Sequence, residues 1–191
     1  MKYKFTYAIA LLSLCSCNQM TGGSSSASNG PKIDTMRPKE QLTLIKKMAD
    51  ADSIANKQIN DLNKRAVIDS GTKDVSNYLT STLNAKVDNW VAYVSKLDEY
   101  GVIQLSFYKD WRKNTESLFE ITLTAGVKDK DTSVMNMLKP LKVGDRVVIS
   151  GEFVKLGGQV NNDIVAQGLE AESSIRSPLY DFNLTSIKKH N

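Results

Sequence analysis

The spacing of apolar residues changes its period near residue 85, and this change constrains the fold more than any other feature of the chain. From Pro38 to Ala66, apolar positions recur at intervals of three and four with no internal Gly or Pro, as in an amphipathic helix. From Val87 onward, apolar and polar residues alternate, which is typical of half-buried strands. The chain is therefore predicted to be an α+β protein, with a helical segment at 38–84 and a β domain at 85–191.

The helical segment carries one apolar stripe, and two packing arrangements would bury it. The stripe consists of Ile45, Met48, Asp52, Ala55, Ile59, Leu62 and Ala66. Packing against the following domain is the simpler interpretation, and self-association through residues 45–66 is the alternative, because the spacing also fits about three heptads. The motif DSGTKD, Asp69 to Asp74, is expected to interrupt the helix, and Val75 to Leu83 to form one more short helix.

The β domain is predicted to contain five strands and one helix. The strands lie in residues 87–108, where two strands turn at Glu99–Gly101, and in residues 118–127, 144–154 and 178–189. A short helix is predicted within residues 129–141, ending at Pro140. Three strands, a helix and two more strands form the order of an OB-fold, a small five-stranded Greek-key barrel. We expect this barrel, from about Lys86, to fold without the preceding helix.

Three stretches of the β domain resemble a known family of OB domains. They are WVAYV in the first strand, LKVGDRVVISGEF after the helix, and LYDFNLTSI after Pro178. Over residues 86–189 the chain resembles the tRNA-anticodon-type OB domains, and most closely their bacterial branch called tRNA_anti-like. The resemblance implies an OB barrel of a kind often found in exported proteins. Within it, the stretch from Leu141 to Phe153 is expected to form barrel wall.

The first sixteen residues, MKYKFTYAIALLSLCS, are predicted to be a cleaved secretory signal. Lys2 and Lys4 form its basic start, and the apolar run after them is too short to span a bilayer. The end of this stretch resembles a bacterial lipoprotein signal, because Leu14 lies three residues before Cys17 and the small Ser16 directly precedes it. The resemblance implies cleavage before Cys17 and attachment of acyl chains to that cysteine.

The segment at 17–37 is predicted to be a flexible tether, because it is rich in Gly, Ser and Asn and has no apolar periodicity. Residue 18 is Asn rather than the Asp that retains many lipoproteins at the inner membrane. We therefore expect a lipid-anchored protein of the bacterial envelope, at the outer membrane and facing the periplasm. The lipid is the only cofactor expected.

The charge of the β domain argues against nucleic acid as its ligand. Residues 86–191 contain fourteen Lys and Arg and fourteen Asp and Glu, whereas phosphate binding favours an excess of cations. The outward faces of the second and third predicted strands offer one aromatic residue, Tyr108, for base stacking. A protein or another envelope component is the expected partner, and an oligonucleotide or an oligosaccharide is the alternative.

The loop between the second and third strands contains the candidate partner contacts. They are Tyr108, Lys109, Trp111 and Arg112. Trp111 lies among charged residues, so it either folds over the barrel mouth or serves as an exposed interface anchor beside Arg112. A second candidate contact at the rim is the stretch from Lys155 to Asp163, KLGGQVNND, which is predicted to be a hairpin tip.

No catalytic group or metal site is expected. The one histidine, His190, is next to last in the sequence, where a frayed end is expected. Lipidation of Cys17 and loss of the signal would leave no free thiol for nucleophilic chemistry. Asp129 and Asp131 resemble the start of a calcium loop, but the glycine and the closing glutamate of that loop are absent. The chain is expected to bind rather than to catalyse.

Overall fold

A computed structural model describes residues 36–108, 121–125, 132–160, 162 and 175–190 of the chain. These residues form two helices followed by a closed barrel of five strands with a third helix inserted between strands. The predicted α+β fold with an OB-type barrel is thereby confirmed.

The predicted helix over residues 38–66 is divided into two helices. Helix α1 spans Lys39–Asn56 and helix α2 spans Asp61–Asn77. The break needs neither Gly nor Pro, because Asn60 caps α2: its side-chain oxygen accepts a hydrogen bond from the Leu62 backbone N–H at 2.7 Å. The two helices pack against each other as an antiparallel pair, in which Lys47 on α1 forms an ion pair with Asp74 on α2 at 2.7 Å.

The prediction that DSGTKD interrupts the helix is wrong, because this motif lies inside α2. Gly71 is required there for packing rather than for a turn. A Cβ atom on Gly71 would lie 2.6 Å from the Ala51 Cβ and 2.7 Å from the Ile175 Cδ1. The glycine therefore allows α2 to approach α1 closely, and this approach offsets its low helix propensity.

The apolar stripe of α1 is buried against the chain itself. Met48 contributes to the core of the barrel, and Ala55 belongs to a second cluster with Ala51, Ile68 and Ile175. Asp52, the one charged member of the stripe, is buried beside Arg176, whose Nε donates to its carboxylate at 2.5 Å. The stripe ends where α1 ends, because Ile59 and Leu62 are exposed. Self-association stays a prediction.

The helices lead directly into the barrel. After α2, one π-helical turn, Tyr78–Thr82, continues the chain, and Asn84 and Ala85 then adopt left-handed backbone angles with φ of 50° and 63°. The first strand, β1, begins at Lys86. The change of hydrophobic period in the sequence therefore marks the change from helix to strand.

The barrel is closed by pairing of the last strand with the third and fourth strands. Its strands are β1 (Lys86–Leu97), β2 (Ile103–Ser106), β3 (Thr122–Ala125), β4 (Arg146–Phe153) and β7 (Leu179–Lys189). They follow the spatial order β1-β2-β3-β7-β4, in which β3 and β7 are parallel and the other pairs are antiparallel. Helix α3 (Thr132–Leu138) lies between β3 and β4 in sequence, and a small hairpin of β5 (Lys155–Leu156) and β6 (Gln159–Val160) follows β4.

The barrel is filled by the inward side chains of alternating positions. The predicted inward faces are confirmed where the structure describes them: Ile103, Leu105, Phe107, Ile121, Leu123, Val147, Ile149 and Phe153 are all buried. Trp90 lies at the centre and makes edge-to-face contacts with Phe107 and Phe153, at centroid distances of 5.6 and 6.0 Å. Within the stretch from Leu141 to Phe153, the part Arg146–Phe153 forms barrel wall as strand β4, and residues 141–145 form the turn that precedes it.

Gly151 on β4 makes room for the neighbouring strand, and its substitution tests the barrel packing. A Cβ atom on Gly151 would meet the Asn183 carbonyl oxygen and lie 2.7 Å from the Phe182 ring. We expect Gly151→Ala to lower the free energy of unfolding by about 3 kcal/mol, the cost of overpacking against backbone. Urea unfolding would measure the loss. Gly158→Ala is the control, because its backbone angle is strained but no atom lies within 4 Å of the added Cβ. Equal losses of stability in the two variants would contradict this packing.

Candidate functional site

The outer face of β2 and β3 is the surface that OB-folds commonly use for ligands. In the described residues, the positions that alternate with the core side chains are Gln104 and Ser106 on β2, and Thr122 and Thr124 on β3. Ser106 is buried and the other three are half-buried. Gln104 lies opposite Thr124, and Ser106 lies opposite Thr122, in the antiparallel register. These four side chains are uncharged and none is aromatic, so the face is polar but offers no cation to a phosphate.

The N-terminal end of the described chain covers the edge of this face. Arg37 is buried, and its guanidinium donates a hydrogen bond to the Phe107 carbonyl oxygen. The same guanidinium lies over the Tyr108 ring, with its Cζ 5.5 Å from the ring centroid. Tyr108 is therefore held in a cation–π stack at the end of β2, and one face of its ring is taken.

Burial raises the pKa of the Tyr108 phenol above its ordinary value, and the nearby Arg37 charge opposes this shift without cancelling it. The phenol therefore stays protonated at neutral pH. It remains a neutral group that can both donate and accept a hydrogen bond.

Gln41 was not predicted from the sequence as an important residue, yet its side chain binds the backbone of β1. Its side-chain amide donates to the Val91 carbonyl oxygen at 2.7 Å, and its side-chain oxygen accepts from the Val91 backbone N–H at 2.9 Å. The amide thus takes the place that a paired strand would occupy. No local pattern signals this role, because the two residues are fifty positions apart.

The other predicted site residues are placed only in part. Cys17, Lys109, Trp111 and Arg112 lie outside the described residues. His190 does not fray: its backbone N–H donates to the Arg146 carbonyl oxygen at 2.8 Å, which continues the pairing of β7 with β4. The predicted hairpin tip after Lys155 is present as the β5–β6 hairpin, where Gly157 and Gly158 adopt positive φ.

Two polar clusters on the barrel surface have structural roles. Ser150 donates to the Asp88 carboxylate at 2.5 Å and accepts from the Asn89 backbone N–H, which fastens the irregular pairing in β1. Asp145 accepts from the Lys189 side chain and from the Lys142 backbone N–H. These hydrogen bonds, the Lys189 bond first, lower the pKa of the Asp145 carboxyl.

Among the described residues, no three His, Cys, Asp or Glu side chains come together in a way that could hold a metal ion. A membrane-crossing helix, long and apolar enough to span a bilayer, is also not found in the described part of the chain.

The chain matches no family model, no curated protein and no solved structure. The class of protein is therefore defined by the fold alone. It is an OB-type barrel packed on a helical hairpin. The resemblance to the tRNA_anti-like domains stays a prediction.

Proposed function

We propose that this chain is a lipid-anchored, non-enzymatic OB-fold module of the bacterial envelope, which binds a protein or another envelope component. The contact is made at the rim of the barrel where β2 ends. The observation that carries the proposal is the stack of Arg37 on Tyr108 at that rim.

Tyrosine, with tryptophan and arginine, is among the residue types enriched as anchors of protein interfaces. The Arg37 guanidinium is fixed by the Phe107 carbonyl oxygen, and the Tyr108 backbone N–H donates to the Ser106 hydroxyl at 3.2 Å. A ring held in this way loses little conformational freedom when a partner binds, and such preorganisation strengthens binding. The candidate contacts Lys109, Trp111 and Arg112 follow Tyr108 directly in the sequence, so the same partner could contact all four.

The same surface gives less support to an oligonucleotide as the ligand. Its phosphates need cations and its bases need exposed rings, whereas the described outer face of β2 and β3 is neutral. Five of the described aromatic residues lie inside the barrel, namely Trp90, Phe107, Phe153, Tyr180 and Phe182. Tyr93 on β1 is half-buried, and Tyr100 is exposed on the turn before β2. Arg37 covers one face of the Tyr108 ring, so only the other face of this ring can stack on a base.

The membrane location in this proposal comes from the sequence. A lipid on Cys17 would hold the barrel at the periplasmic face of the outer membrane, and the segment at 17–37 would let it reach a partner. Anchoring by several acyl chains is firm, since each buried CH₂ contributes about 0.8 kcal/mol.

Position-specific photocrosslinking in intact cells tests the partner contact. We expect a photoreactive phenylalanine at Tyr108 to give a discrete crosslinked protein. The matched control is the same residue at Tyr100, which is 81% exposed on the turn between β1 and β2. Because β1 and β2 are antiparallel, this turn lies at the opposite end of β2 from Tyr108.

A crosslink of equal yield at both positions would show nonspecific collision, and no crosslink at Tyr108 would contradict the proposed contact. Disappearance of the Tyr108 product in an Arg37→Ala variant that keeps its fold would support the role of the stack. The product should persist in a Lys39→Ala variant, because Lys39 is exposed at the start of α1.

A further inference from the structure

The tip of the α1–α2 hairpin, defined here as residues 54–65, presents apolar side chains that the described part of the chain leaves uncovered. Ile59 is fully exposed, Leu62 is 78% exposed and Ile54 is 50% exposed. Single exposed apolar residues are normal on a protein surface. Three within nine residues lie around one turn between helices, and exposed apolar groups that occur together mark interaction sites.

The hairpin tip also carries an excess of positive charge. The hairpin tip contains Lys57, Lys64 and Arg65 and a single acidic residue, Asp61. Lys57 and Arg65 are exposed, while Lys64 is partly buried. Apolar side chains beside an excess of cations suit the interface of an anionic bilayer, where the apolar groups enter the acyl boundary and the cations meet the headgroups.

The hairpin tip is held in shape before any contact is made. The Gln58 side-chain amide donates to the Ile54 carbonyl oxygen at 3.2 Å, and the Asn60 side chain caps α2. Behind the tip, Gly71 lets α1 and α2 pack closely. Ile59 and Leu62 therefore project from a fixed turn, and insertion requires no folding step.

We propose that the hairpin tip inserts into the surface of an anionic bilayer, so that the folded part of the chain has a second, reversible contact with the membrane. The identity of that membrane rests on the proposed lipid anchor at Cys17. Binding of the tip to an anionic bilayer does not depend on the anchor, so bilayer binding and lipid attachment can be tested separately.

The length of chain between the anchor and the folded part suits such a second contact. Helix α1 has 18 residues and is therefore about 27 Å long, with the hairpin tip at the end away from the predicted tether. Nineteen residue steps separate Cys17 from Met36, and the predicted flexible tether of that length would have a root-mean-square span of roughly 25 Å. Effective concentration is highest when linker span and site separation match, so the tether would favour contact of the tip.

Vesicle cosedimentation of the unlipidated chain 18–191, which keeps every described residue, tests the proposal. The probes are phosphatidylcholine vesicles with and without about 25% phosphatidylglycerol, at ~0.1 M salt. We expect binding only to the anionic vesicles. The double variant Ile59→Ser with Leu62→Ser should bind at least about tenfold more weakly, and Lys57→Ser with Arg65→Ser should remove the preference for anionic lipid.

The control is Val143→Ser with Leu156→Ser, which removes two exposed apolar side chains outside the hairpin tip and should leave binding unchanged. Circular dichroism melts establish that each variant is folded.

The proposal is overturned if the folded wild-type chain does not bind the anionic vesicles, or if the Ile59→Ser, Leu62→Ser variant binds them as tightly as the wild-type chain. A concentration-dependent dimer in light scattering that this variant abolishes would assign the surface to a second copy and also overturn it. Loss of lipid labelling at Cys17 bears on the anchor alone and leaves the vesicle result intact.

Discussion

A chain that begins at Lys86 is expected to lose cooperative folding, because the helices supply part of the barrel core. Leu44 and Met48 of α1, Val75 of α2 and Leu79 of the π-helical turn belong to the same buried cluster as the inward side chains of the strands. Each such side chain contributes about 1.5–3 kcal/mol on burial. Their combined loss is of the same order as the whole stability of a domain, about 5–15 kcal/mol.

The truncation also removes two polar side chains that bind the barrel backbone. Without Gln41, the Val91 backbone N–H and carbonyl lose the hydrogen bonds that they make in the folded chain. Without Arg37, the Phe107 carbonyl oxygen loses its donor. Because the truncation also opens these groups to water, each lost hydrogen bond costs about 0.5–1.5 kcal/mol.

Circular dichroism and urea unfolding of residues 86–191 would measure this effect, with residues 36–191 as the control. We expect a cooperative transition for the longer chain only. A cooperative β-type transition of the shorter chain would contradict the shared core. It would support the expectation drawn from the alternating sequence pattern, that the barrel folds without the helix.

Replacement of Cys17 by serine is expected to abolish lipid attachment. A hydroxyl does not replace the thiol that forms the thioether to diacylglycerol, so the mature chain would lose its acyl chains. Metabolic labelling with a fatty acid analogue should fall to background, and the protein should leave the membrane fraction. The matched variant Cys15→Ser should keep both the label and the membrane fractionation.

The position of Leu14 and Ser16 motivates the assignment to Cys17 rather than Cys15. Labelling that survives Cys17→Ser but is lost in Cys15→Ser would move the cleavage site by two residues. Labelling that survives in the double variant would show that the chain is not a lipoprotein of this kind.

The elements that the sequence predicted well are those with a local signal. The inward positions of β2 and β4 follow strict alternation, and the turn between β1 and β2 follows from Gly101, which has φ of 83°, and from Asp98, whose carboxylate accepts from two backbone N–H groups. The short helix before Pro140 was also predicted from the sequence, because proline disrupts a helix, and it is present as α3.

The features that the sequence did not predict depend on partners far along the chain. Gly71 resembles a helix breaker until Ala51 and Ile175 are placed beside it. Asp52 looks misplaced on an apolar stripe until Arg176 is found to pair with it. Tyr108 looks like an exposed stacking group, and only the position of Arg37 shows that one ring face is covered. Separations of this length leave no periodic signal in a single sequence.

The central claim, that the barrel surface serves a protein or envelope partner rather than an oligonucleotide, is tested most directly by fluorescence anisotropy. Labelled single-stranded DNA and RNA are titrated with micromolar protein at ~150 mM salt. The neutral outer face and the half-covered Tyr108 ring predict no change in anisotropy, since affinity should be no better than about 10⁻⁴ M. A saturable signal that weakens with added salt and with Tyr108→Ala would contradict the account.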